Sequence, residues 1–256
     1  MKTIAICNQK GGVGKTSTAV TMASFLGIAN KRTLLIDLDP QGNSTSGLGI
    51  NKNVAEKSAY HVLLNHSLIN EVVVETQIQN LKLLPCDINL AGAEVELVNE
   101  MGREGRLGKA LEKIKNDYDF VIIDCPPSLS MLTLNALTAA QSVLIPIQCE
   151  YYALEGLAQL IKTIDLVSDN LNPSLFIEGI LMTMADKRTN LTDQVIQEVR
   201  KHFPDKVYDA VIPRSVKMSE APGFGKPIMI YDKYSKVCKI YEAFTNEFLA
   251  KNAITS

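Results

Sequence analysis

Apolar positions along this chain fall into short runs separated by longer stretches with helical spacing. The runs are 3–7, 33–39, 81–86, 120–124, 142–147, 177–184 and 207–213. Several are apolar throughout and do not alternate with polar residues, the pattern of strands buried on both faces. Between them, 15–29, 88–115, 129–140, 153–168, 190–203 and 235–251 read as helices. This alternation predicts an α/β fold, a mainly parallel twisted sheet with helices on both faces. Residues 1–256 read as a single domain, with no linker, internal repeat or low-complexity segment. Right-handed crossovers would gather the functional loops at the carboxyl ends of the strands. The stretch 213–234 holds several turn residues and reads as a loop.

Composition narrows the setting. The chain is 46% hydrophobic and 21% charged, which suits a folded domain with ample core. No apolar run reaches the roughly 18 residues of a membrane span. The opening stretch reads as a first strand and not as a signal peptide, so the expected location is cytoplasmic. Cys7, Cys86, Cys125, Cys149 and Cys238 show no CxxC spacing and read as reduced, mostly buried thiols. The net charge of −2 conceals an asymmetry. Residues 1–186 carry 14 basic and 20 acidic side chains, −6, while 187–256 carry 12 and 8, +4. That is either scattered solvated charge or a basic face for a polyanion.

The first strand runs into QKGGVGKTS, residues 9–17. Gly14, Lys15 and Thr16 fill the GK[ST] end of a P-loop, while Gln9 stands where its first glycine would be. Gly11, Gly12 and Gly14 let successive N–H groups converge on phosphate oxygens. The helix that follows, with Val13 and Ser17 flanking its start, adds its dipole and free N–H groups. Lys15 can reach the β- and γ-phosphates, and the Thr16 hydroxyl can ligate Mg²⁺. Asp37 and Asp39 close one apolar run and Asp124 another. Aspartates so placed can hold Mg²⁺ through water or orient an attacking water.

A second lysine, Lys10, opens the loop. Here the sequence resembles the ParA/MinD family of deviant Walker A P-loop ATPases, whose motif xKGGxGKT is QKGGVGKT at 9–16. The resemblance continues in DLDPQGN (37–43), VIIDCPP (121–127), MTMADKRTNL (182–191) and IPRSVKMSEAPGFGKPI (212–228), in family order. It is nearest to the short chromosomal ParA (Soj) type.

The resemblance implies ATP and Mg²⁺ as cofactors and a homodimer that sandwiches ATP, with Lys10 reaching the partner's nucleotide. It makes Asp39 the water-positioning residue near the metal, puts Asp124 near Mg²⁺, and leaves Asp37 structural. It sets the adenine against Pro213 and Arg214, with Met184. It implies non-specific binding of double-stranded DNA by the dimer, hydrolysis stimulated by a ParB-like partner, and a role in chromosome or plasmid partition at the nucleoid. Arg188 and Lys217 are the first DNA-binding candidates, with Lys233, Lys236 and Lys239 behind them. An N-terminal helix-turn-helix domain, found in longer relatives, is not expected.

Three other readings compete. A MinD-like ATPase would use the last helix on a membrane, but Val237, Ile240, Tyr241, Phe244 and Phe248 fall on one side of it, as in a helix packed on a sheet. An iron–sulfur reductase would need two cysteines per subunit on the dimer axis, and only Cys125 is near. In the third, ATP is only a dimerisation switch without useful hydrolysis.

Overall fold

The structure, a computed structural model, describes residues 1–52, 57–150, 152–186 and 188–253. The first half runs β1 (Lys2–Ile6), α1 (Lys15–Ile28), β2 (Thr33–Asp37), α2 (Asn43–Gly47), α3 (Ala59–Leu63), α4 (Ile69–Val72), β3 (Val74–Glu75), β4 (Leu81–Leu84), α5 (Leu90–Glu96) and α6 (Arg106–Glu112). The second runs β5 (Phe120–Asp124), α7 (Met131–Ala139), β6 (Ser142–Gln148), α8 (Ala153–Asn170), β7 (Phe176–Ala185), α9 (Asn190–His202), β8 (Val207–Pro213), α10 (Val216–Glu220), α11 (Ile228–Tyr231) and α12 (Lys236–Ala253). All seven apolar runs are strands.

Two readings are corrected. The stretch 88–115 is not one helix: α5 runs into a 3₁₀ turn at Leu97–Asn99, the backbone turns extended at Glu100, and a second 3₁₀ turn at Arg103–Gly105, opened by Gly102 at φ +61°, leads into α6. The stretch 213–234 is not plain loop, since it holds α10, α11 and a 3₁₀ turn at Ala221–Phe224.

The sheet order is β3-β4-β2-β5-β1-β6-β7-β8. Among the described residues only the short β3 is antiparallel; it pairs with β4 at one edge. β1 lies between β5 and β6, and the chain builds outward from it on both sides. That makes the carboxyl end of β1 a switch point, where an open α/β sheet leaves a crevice.

Strand residues alternate between two cores. Ala5, Leu34, Ile36, Val121 and Ile123 face one side, with Leu107 of α6, Leu132 and Ala136 of α7, and Leu157 and Leu160 of α8. Ile4, Ile6, Leu35, Ile122 and Leu144 face the other, with Met22 and Leu26 of α1 and Tyr241, Phe244 and Phe248 of α12. Burying each large side chain contributes roughly 1.5–3 kcal/mol. The apolar side of α12 is therefore spent in the core, where Tyr208 meets Phe244 edge to face at 4.8 Å. No helix among the described residues is long and apolar enough to cross a membrane.

A largely buried ion pair ties the chain start to β7, and Asn252 joins α12 to it. Lys2 Nζ lies 2.6 Å from Glu178 Oε2, and Asn252 Nδ2 donates to Glu178 Oε1 at 3.0 Å. Burial pushes the Glu178 carboxyl up, but the Lys2 ammonium and the Asn252 hydrogen bond outweigh it and hold it below 4.5. A depressed folded value gives stability that is present above 4.5 and fades as pH falls through the folded value. Glu178→Ala should therefore cost about 1–3 kcal/mol near neutrality. In thermal melts at stepped pH, its deficit against the parent should shrink below pH 4.5.

Candidate functional site

At the carboxyl end of β1 the backbone turns through residues 8–14 into α1. Asn8 starts the turn: its side chain donates to Pro146 O on β6 at 2.7 Å and accepts from Lys10 N–H at 2.9 Å. Gly12 and Gly14 have φ of +77° and +89°, left-handed values that exclude most residues. A Cβ built on Gly11 or Gly12 would meet no protein atom within 4 Å, so these glycines keep the space over the loop open. Thr183 of β7 donates to Val13 O at 2.8 Å and holds the loop from beneath. Gly14 caps α1, whose first N–H groups face the same space.

The two lysines point different ways. Lys15 is 7% exposed, and its ammonium donates inward to Lys10 O at 3.1 Å. Burial lowers its pKa, and Asp124 is the main group opposing that shift. Lys10 turns outward and pairs with Glu150 beyond β6, both side chains about half exposed.

The carboxylates converge beside the loop. Asp37 and Asp124 are register partners across β2 and β5, and both are fully buried. Burial, then Asp37, pushes Asp124 up, against the hydrogen bond from Ser44. Burial likewise raises Asp37 to about 6, although Thr45 donates to it twice. Asp39 sits on the following turn, 8% exposed, where its Oδ1 accepts Gln41 N–H at 3.0 Å. Asp124 Oδ1 is buried with no hydrogen-bond partner. An unsatisfied buried carboxylate oxygen beside a threonine hydroxyl fits a hard cation with its hydration shell.

A cleft of about 590 Å³ leads away from the loop. Gly14, Thr16 and Ser17 line one end, and Met184, Pro213 and Arg214 line the rest with Ser215 and Val216. The three residues expected around a base thus share a cleft with the glycine loop. Met184 holds φ +51° at its lip, strain of order 1 kcal/mol of the kind that marks functional sites.

The basic residues are only partly gathered. Arg188, Lys236 and Lys239 line a second cleft, of about 710 Å³, with Arg214 and the acids Asp186 and Asp209. Arg188 is clamped by Asp186, with Nε to Oδ1 at 2.9 Å and Nη2 to Oδ2 at 2.6 Å, which pulls Asp186 down to about 2. Lys217 and Lys233 do not line this cleft. Lys217 lies 3.7 Å from Glu220, and Lys233 sits over the Tyr234 ring. The five cysteines are buried and free, as expected.

Sequence reasoning passed over Asn8, Ser44, Thr45, Glu150 and Thr183. The visible signals were an asparagine opening a glycine turn and a run of hydroxyls after Gly42.

Fold and loop together define a P-loop nucleotide-binding protein, in which backbone N–H groups and a helix N-terminus grip a phosphate chain. The family model described as an AAA domain matches residues 1–177. Sporulation initiation inhibitor protein Soj of Bacillus subtilis is 55% identical over 249 residues, 97% of this chain and 98% of that protein. The chain belongs to the ParA/Soj family. Chromosome partitioning protein ParA of Myxococcus xanthus is 54% identical, over 97% of this chain and 88% of that one. Among solved structures, cobyrinic acid a,c-diamide synthase of Mycobacterium smegmatis, with a bound ATP analog and magnesium, is 39% identical. Its TM-score is 0.85, covering 96% of this chain and 93% of that one.

Proposed function

We propose that this chain is a Mg²⁺-dependent ATPase of chromosome or plasmid partition. The observation that carries the reading is the meeting of Lys15, Thr16 and Asp124 under an open glycine loop, whose Gly14 and Thr16 also line a cleft of about 590 Å³. The backbone from Lys10 to Gly14 wraps the phosphates, with Lys15, Thr16 and Ser17 at the start of α1. Met184, Pro213 and Arg214 hold the base. Thr16 and Asp124, with Asp39 nearby, are the residues to hold Mg²⁺, which when bound neutralises charge between the β- and γ-phosphates. Asp39 orients the attacking water.

ATP then joins two subunits, with Lys10 of each serving the other's nucleotide. The dimer binds double-stranded DNA without sequence preference, through Arg188, Lys236, Lys239, Lys217 and Lys233. A ParB-like partner stimulates hydrolysis and releases it. The protein works in the cytoplasm, on the nucleoid. A DNA-retention assay with ATP, ADP and no nucleotide, across salt concentrations, tests this. Retention independent of nucleotide overturns it. Liposome flotation separates the membrane alternative, and the burial of α12 argues against that one.

Asp39→Ala should bind ATP and dimerise yet lose at least about 100-fold in hydrolysis, since the water loses its orienting carboxylate. The dimer should stay on DNA. Phosphate release with DNA and partner present measures this, and a wild-type rate removes the role from Asp39.

Arg188→Glu should weaken DNA binding more than Lys217→Glu, because Arg188 shares its cleft with three further cations, Arg214, Lys236 and Lys239. Each neutralised phosphate adds about −0.9 to the salt slope, so both affinity and slope should fall, equally for unrelated duplexes. Gel shifts on two sequences at several salt concentrations read both. Wild-type affinity in both variants moves the DNA surface elsewhere.

A further inference from the structure

The turn after β2 is tied to the sheet by two adjacent hydroxyls and two different aspartates. Thr45 goes to Asp37, whose Oδ2 accepts its N–H at 2.8 Å and its hydroxyl at 2.7 Å. Ser44 goes to Asp124, donating to Oδ2 at 2.8 Å. All four side chains are fully buried.

The two ties leave different things behind. Asp37 has both oxygens engaged, since Oδ1 accepts Asp39 N–H at 3.3 Å. Asp124 keeps Oδ1 without a hydrogen-bond partner. An aspartate carboxylate turns easily about its last bond, so what fixes its orientation is the donor on one of its oxygens. Ser44 is that donor. It lies in α2, just after the turn that carries Asp39, so one hydroxyl connects the segment following Asp39 to the carboxylate at the end of β5.

We infer that Ser44 is a positioning residue for Asp124. It occupies Oδ2 and leaves Oδ1 as the acceptor for the hydrated Mg²⁺ of the nucleotide, an inference that rests on the Mg-ATP reading above. Thr45 performs the analogous tie to Asp37 but leaves no oxygen over. The two neighbours should therefore separate in their effects: Ser44 acts on the metal, and Thr45 on the turn alone.

The test is the affinity of the full chain for a fluorescent ATP analogue, measured with Mg²⁺ and with EDTA. Wild type should bind more tightly with Mg²⁺. Ser44→Ala should lose about 10-fold of that gain, with its EDTA affinity unchanged. Thr45→Val, which keeps the shape and removes the hydroxyl that donates to Asp37 and accepts the Cys86 N–H at 3.0 Å, should keep the gain. Equal losses in both variants, or a loss by Ser44→Ala in EDTA as well, make Ser44 a general support of the turn and overturn the inference. A Mg²⁺-sensitive wild type matched in full by Ser44→Ala overturns it alone. A wild type indifferent to Mg²⁺ overturns the metal reading and this inference with it.

Discussion

Lys15→Ala is expected to weaken ATP binding by roughly 100-fold or more, as loss of one or two charge-assisted phosphate contacts implies. The argument rests on where the ammonium is. It is a buried cation with a single hydrogen bond, to the Lys10 carbonyl. Desolvation of that kind is costly, and burial accordingly lowers its pKa. A phosphate chain in the loop would add a stronger anion to the one Asp124 already supplies. The substitution removes a costly buried cation but also takes a counter-charge from Asp124, so each variant's melting temperature without ATP is its own reference. The stabilisation that ATP confers on the parent should vanish, because that gain follows the ratio of ligand concentration to Kd. A fluorescent ATP titration and a thermal-shift series measure both halves. An unchanged affinity would falsify the assignment of Lys15 to the phosphates.

The strands were legible because their sequence is redundant: each central strand is buried on both faces, so its residues are mostly apolar, with polar ones such as Thr33, Asp37, Asp124 and Ser142 at the strand ends. β3 escaped because two residues at an edge carry no period. The small helices between Asn43 and Val72 escaped because four or five residues do not complete a helical repeat. Gly102 could have been read as a stop within 88–115, but the helical spacing resumes after it.

The glycine loop was legible because phosphate binding there is done by backbone, and only local sequence sets the backbone. The hydroxyl ties of Ser44 and Thr45 were not. They join a turn to carboxylates whose partners are fixed by strand order, with Asp37 beside Asp124 only because β2 lies against β5. The clamp on Arg188 shows the same limit from the other side. The positive balance of 187–256 was visible in sequence, but Asp186, which lies just outside that window, is what Arg188 holds.

Lys10→Ala should leave ATP binding by the single subunit nearly intact while preventing the ATP-dependent doubling of mass. Two lysines within one loop invite the view that both serve the same phosphates, and the geometry opposes it. Lys15 turns into the loop. Lys10 leaves it, toward Glu150, with 52% of its side chain exposed. An exposed pair of this kind contributes at most about 1 kcal/mol, so the ammonium is released readily when a stronger anion arrives. A triphosphate presented by a second subunit would be such an anion, and closure of the subunits over it would exclude water and strengthen the contact. Removing the cation leaves two facing triphosphates with less charge to offset them, and dimerisation should fall by at least about 10-fold. Stability of the single subunit should stay within about 0.5 kcal/mol, as for other surface changes. Hydrolysis should fall with dimerisation. Light scattering across an ATP series gives the mass, and an equilibrium titration of the fluorescent analogue at low protein concentration gives the single-subunit affinity. A variant that dimerises at the wild-type ATP concentration sinks the assignment in trans. One that dimerises normally but binds ATP poorly returns Lys10 to its own loop.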